Sequence, residues 1–195
     1  MAVKTFTTGE VLTASDTNTY LANSGLVVVG SFTVSGATTM TCDNVFTSTY
    51  KNYRVVVNMG GTSDLNVLLM SYINSSGSDV ITSYYSAAMG WDYTGTSTTP
   101  HIYNGTTAVA LAFLANTSTA VNRSNVSVDI YDPFSATVAT YAAGNYSGIN
   151  SGAYYSGGLT NSSQFTGTSM RGFKLKNSVG SNMTGTCTVY GYRVG

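Results

Sequence analysis

Two pairs of aspartates, Asp129/Asp132 in VDIYDPF and Asp79/Asp92, are the only carboxylates spaced in a way that invites an acid/base reading. Two carboxylates flanking a glycosidic bond are the minimal machinery of a glycosidase. Asp132 precedes Pro133, however, and that dipeptide reads more simply as a turn at a strand end. The single histidine, His101, follows Pro100 with no nucleophile at motif spacing. No HExxH, CxxC, Walker loop or GxSxG occurs. The two cysteines, Cys42 and Cys187, lie far apart in the chain. They read as two buried thiols, with a bridge between the first and last strands as the alternative. The expectation is a non-enzymatic protein with no catalytic, metal or cofactor residues.

The aromatics carry more. Fifteen tyrosines and one tryptophan occur in 195 residues, many among Gly, Ser, Thr and Asn. MGWDYTGTSTTPHIYNGTT gathers Trp91, Tyr93, His101 and Tyr103 in a stretch without Lys or Arg. Tyr154 and Tyr155 form a second cluster. Aromatic anchors among short hydrogen-bonding side chains suit contact loops for sugars or proteins; the plain alternative is packing between sheets. These six residues are the candidate contact surface.

The elements that must hold them read as strands. LVVVGSFTV, TMTCDNVF, YKNYRVVVNM and DLNVLLMSYIN open a series that continues over 79–93, 101–103, 108–115, 125–132, 136–142, 153–155, 171–176 and 183–194. Turn signals such as GG, SSG, NGTT and SVGSN recur between them. Short strands at this spacing predict an all-β sandwich or jelly-roll-like domain over 26–195. Ahead of it, 1–25 reads as an extended leader with a short helix over 14–23. Thr13 is placed as the N-cap, Asp16 three residues on completes a capping arrangement, and Gly25 marks the stop. So short a helix is marginal alone. Phe6, Val11, Leu12, Tyr20 and Leu21 need a partner surface, which marks them as a candidate attachment segment.

Charged residues make up only 8%, and the formal net charge is zero. That balance gives no electrostatic pull on nucleic acid. The segment MAVKTFTTGEVL has no apolar signal-peptide core, and no stretch has the length of a membrane span. The expectation is synthesis in a cytosol, with neither membrane insertion nor a nucleic-acid partner. A low-charge surface rich in Thr, Ser and Asn is prone to association and suits a chain covered by neighbours.

FTTGEVLTASDTNTYLANSGLVVV resembles the leader of small tailed-bacteriophage virion proteins, in its G-E-V-L-T-A, its following Asp, and its N-x-Y-L-x-N. YKNYRVVV at Tyr50–Val57 and T-G-T-x-x-V-Y-G-Y-R at Thr184–Arg193 accompany that leader in such proteins. The resemblance covers both ends and the first strands. It implies a structural β-sandwich protein of the fibre, tail tip or head surface, often trimeric. The leading expectation is a short tail fibre or tail-associated host-adhesion protein. It would be anchored to other virion proteins by its N-terminus, assembled in the host bacterial cytoplasm, and able to contact a host glycan or protein. A capsid decoration or head-fibre protein and a free glycan-binding lectin are the alternatives.

Overall fold

Alternation along the strands decides the architecture. In NYRVVVNM, Tyr53, Val55, Val57 and Met59 are buried, whereas Val56 between them is exposed. A period of two places one face of the strand in the core and the other in solvent. The computed structural model describes residues 7–11, 13–16, 25–61, 66–92, 101–116, 123–149 and 155–193. They form one helical turn, α1 (Ala14–Asp16), and twelve strands. These are β1 (Leu26–Ala37), β2 (Thr39–Cys42), β3 (Asn52–Gly61), β4 (Asn66–Asn74), β5 (Tyr84–Asp92) and β6 (His101–Thr106). The remainder are β7 (Val109–Asn116), β8 (Ser124–Tyr131), β9 (Thr140–Ile149), β10 (Tyr155–Gln164), β11 (Met170–Asn177) and β12 (Met183–Tyr192).

The strands make two antiparallel sheets, an all-β sandwich. The larger runs β1-β12-β3-β8-β9-β10-β5-β6 and the smaller β2-β11-β4-β7. A short parallel contact of Gly60 and Gly61 with Ala115 and Asn116 joins them at one corner. One core fills the space between. Phe46 packs on Tyr53 and Phe173 at ring-centroid distances of 4.8 and 5.7 Å. Tyr72 stacks on Tyr84 at 6.0 Å. The buried Tyr53 phenol is tied to backbone. Thr47 N donates to the Tyr53 hydroxyl at 2.7 Å, and that hydroxyl donates to Thr47 O at 2.9 Å.

Two strands depart from the sequence reading. β9 covers residues 140–149 rather than 136–142, and β10 covers 155–164 rather than 153–155. Their sequences, TYAAGNYSGI and YSGGLTNSSQ, carry Gly, Ser and Asn where strand formers are expected. Both are interior strands, hydrogen-bonded along both edges, so tertiary pairing overrides weak propensity. Several glycines are required by close backbone approach, Gly158 of β10 among them. Gly158 pairs with Gly90 on one side and Tyr146 on the other, and a Cβ at Gly158 would run into the Met89 carbonyl oxygen.

The leader differs too. Instead of running extended, it turns at Thr7–Glu10, where Glu10 N donates to Thr7 O at 3.0 Å and Thr7 N donates to Glu10 Oε2 at 3.1 Å. Gly9 has φ +89°, which glycine adopts without cost. Helix α1 begins directly after Thr13, as the capping signals imply. Phe6, Leu12, Tyr20, Leu21 and the rest of the helix expected over 14–23 lie outside the described residues. Val11 is described and is 78% exposed.

Cys42 on β2 and Cys187 on β12 are buried free thiols, one from each sheet. Hydrogen bonding to Cys42 and burial push the Cys187 thiol up, so it stays protonated.

Candidate functional site

The outward face of the larger sheet is where exposed aromatic and aliphatic groups collect. Strand β5, YYSAAMGWD, alternates strictly: Tyr84, Ser86 and Ala88 are buried, and Tyr85, Met89 and Trp91 are exposed. Residues two apart share a face, so the exposed set forms one row along the strand. Register then carries the row across the sheet. Tyr85 lies opposite Ser163 of β10, and Ser163 lies opposite Tyr141 of β9. One step along, Ala87 faces Asn161 and Asn161 faces Ala143. Beyond these, Met89 pairs with Leu159 and Trp91 with Gly157.

Two large rings therefore flank a small residue. Tyr85 and Tyr141 rise on either side of Ser163, two strand spacings or about 9–10 Å apart. Phe165, just past β10, closes one end. Its ring meets Tyr85 edge-on at 5.4 Å and Tyr141 edge-on at 6.1 Å. Tyr85, Tyr141 and Phe165 are 45%, 48% and 53% exposed. The result is a groove of about 350 Å³ with Ala87, Asn161 and Ser163 on its floor.

The strand ends that carry these rings are tied together. Ser83, directly before β5, takes φ 63° and turns the chain into the strand. Phe165 N donates to Ser83 O at 3.2 Å, and Gln164 Nε2 donates to Thr82 O at 3.3 Å. Gln164 Oε1 also accepts from Thr166 Oγ1 at 2.9 Å. Tyr84 is held below by its hydroxyl, which accepts from Tyr72 N at 2.7 Å and donates to Val80 O at 3.0 Å. The sharp change from Tyr84 in the core to Tyr85 in the groove is thus fixed from both sides of the sheet.

The charges of this face lie one strand further out and are matched. Arg54 Nε and Nη2 each donate to a carboxylate oxygen of Asp129 at 2.8 Å, and the Tyr192 hydroxyl donates to Asp129 Oδ1 at 2.6 Å. The Arg54 hydrogen bonds hold the Asp129 carboxyl below the usual range against the opposing effect of burial. Burial first, and then the hydrogen bond to Asp129, push the Tyr192 phenol up to about 12. Asp132, the other half of the suspected acid/base pair, meets Lys51 at 3.7 Å. Asp79 meets Lys174 at 2.6 Å. Asp129 is committed to an ion pair and does not line the groove. Among the described residues, no group of three or more His, Cys, Asp and Glu is placed to hold a metal ion. No helix among them is long and apolar enough to cross a membrane.

Of the contact residues expected from sequence, Trp91 is 56% exposed and stands on a strand rather than a loop. His101 and Tyr103 are on β6, at register positions opposite Ala88 and Ser86. Tyr155 opens β10, paired with Ile149. Tyr93 and Tyr154 lie outside the described residues. Tyr146 is buried on β9. The sequence reading missed Tyr141, Phe165, Asn161 and Ser163. The every-second-residue spacing of Tyr85, Ala87, Met89 and Trp91 was the signal available for β5. No protein-family model, curated protein or solved structure matches the chain.

Proposed function

We propose that the chain is a non-enzymatic structural protein of a tailed-bacteriophage virion, a short tail fibre or tail-associated host-adhesion protein anchored by its N-terminal segment. The observation that carries the reading is the pairing of an exposed leader with an exposed apolar sheet face. Residues 7–11 and 13–15 are all exposed, in a segment where Val11 has most of its surface in water. The outward rows of β5, β9 and β10 expose Trp91, Met89, Leu159, Tyr85 and Tyr141. A sandwich with such a face on one sheet and a separate exposed leader suits an adhesion protein, with the leader held in the assembly and the face presented to the host. The leader would dock to another virion protein, the β domain would project, and sister chains would associate as a homotrimer.

The test is removal of residues 1–24. The sandwich begins at Gly25, whose carbonyl accepts from Arg193 N at 3.2 Å, and at Leu26, which pairs with Tyr192. The truncated chain is expected to fold and to be missing from purified virions produced by complementation. Normal incorporation without the leader refutes the anchoring role.

A further inference from the structure

We infer that the Tyr85–Tyr141 groove is a binding site for a neutral saccharide, and that longer chains run from it along β5 and β10 toward Trp91. The inference rests on the virion reading for its biological role, as the receptor contact of an adhesion protein; the binding chemistry is argued from the groove alone.

Width is the first argument. Side chains stand roughly perpendicular to a sheet. Walls about 9–10 Å apart leave room for one ring-thick ligand, because two van der Waals contacts take roughly 3.5–4 Å each. The faces of pyranose rings present C–H groups to aromatic surfaces. Phe165 braces both walls edge-on, so the slot is shaped before a ligand arrives. A preformed slot avoids part of the ordering cost of binding.

Polarity is the second. The Asn161 amide stands on a floor of small residues, between Ala87 and Ala143 in register, with the Ser163 hydroxyl one step away. An amide and a hydroxyl each donate and accept, which is what sugar hydroxyls require. Neither side chain makes a hydrogen bond to another described residue, so this capacity faces solvent.

Charge is the third. Among the described residues, none that is charged lines the groove. The adjoining strand β8 brings Asp129 opposite Ala143, and Arg54 already matches that charge. An anionic sugar or a phosphate would find no cation here.

Extension is the fourth. Trp91 lies six residues from Tyr85 on the same face, about 20 Å away, and its partner on β10 is Gly157, which puts no side chain beside the indole. Met89 and Leu159 supply apolar surface between them.

Trp91 is the only tryptophan, so it reports directly on this face. The experiment titrates the full chain with maltohexaose, cellohexaose, xylohexaose and mannohexaose, with hexagalacturonate as the anionic comparison. It follows Trp91 fluorescence and heat of binding. At least one neutral hexasaccharide is expected to bind with a Kd of about 1 mM or tighter. Hexagalacturonate is expected to bind at least about tenfold more weakly. Tyr141→Ala and Asn161→Ala should each raise the Kd about tenfold with little change in melting temperature. Binding of no neutral hexasaccharide up to about 10 mM overturns the inference, as does equal binding of the anionic one. If Tyr141→Ala instead lowers the oligomer mass and no sugar moves the fluorescence, the face is a contact between copies and the inference falls. A protein that binds sugar yet is absent from virions would overturn the virion reading and leave the groove assignment standing.

Discussion

Replacing Tyr84 by Phe removes a single oxygen and should cost much of the stability margin. That oxygen accepts from Tyr72 N at 2.7 Å and donates to Val80 O at 3.0 Å, in a fully buried site. Phe keeps the ring and its 6.0 Å stack on Tyr72, so no cavity larger than the hydroxyl appears. Two backbone groups lose their partner. An unsatisfied buried donor or acceptor costs about 1–3 kcal/mol, and removing the hydroxyl recovers part of its own desolvation. The net expectation is about 3 kcal/mol, a large share of the 5–15 kcal/mol typical of a domain. For a chain of 195 residues this corresponds to roughly 6–12 °C in Tm. Urea unfolding followed by circular dichroism, with calorimetry for Tm, measures it. Tyr85→Phe, one residue along and facing solvent, is the control and should change stability by less than about 0.5 kcal/mol. Because Tyr84 fixes the start of β5, Tyr84→Phe should also weaken any ligand that depends on the Tyr85 wall. A loss below about 1 kcal/mol, or an equal loss in Tyr85→Phe, would refute the claim that this hydroxyl pins the strand.

Acid should weaken the fold through Asp129. Its carboxyl is held below the ordinary range by Arg54, so the stabilisation is complete above the unfolded carboxylate pKa and is lost as pH falls through it toward the folded value, from about pH 5 downward. Arg54 is more than a third exposed, so solvent screening limits the pair to about 1 kcal/mol. Asp129→Asn should therefore lower stability at neutral pH by roughly that amount and flatten the acid limb of the stability curve; an unchanged limb counts against the assignment. The oligomer prediction is read from light scattering: a trimer at micromolar concentration is expected, and a clean 20.4 kDa species with the leader intact counts against it.

The sandwich was legible because core strands such as β3 and β12 obey the period of two. NYRVVVNM and TCTVYGY each separate buried from exposed residues as written. What could not be read was which neighbour each strand takes. Pairing of β1 with β12 joins residues about 150 apart in sequence, and the partners of Arg54 and Arg171 follow only from such pairing. Ser and Gly in β10 look like a loop because strand propensity measures packing on a pleated surface, and β10 has glycines where Tyr146 and the β5 backbone crowd it.

The same physics explains why the groove was hidden while Trp91 was visible. A binding row across three strands is a property of register. Tyr141, Ser163 and Tyr85 are separated by 22 and 78 residues in sequence, and no spacing rule connects them. Each also looks unremarkable alone: one tyrosine among many, one serine in a serine-rich run. Their juxtaposition depends on β10 entering between β9 and β5, and that insertion depends on Gly158 allowing the strands to close. The residues that make the sequence look loop-like are thus the ones that let the aromatic walls stand two strands apart. Small residues on the floor keep the space between the walls open. A larger side chain at Ser163 would raise strand propensity and fill the groove, so poor strand-forming composition in β10 and an open slot on its outward face are two consequences of one arrangement.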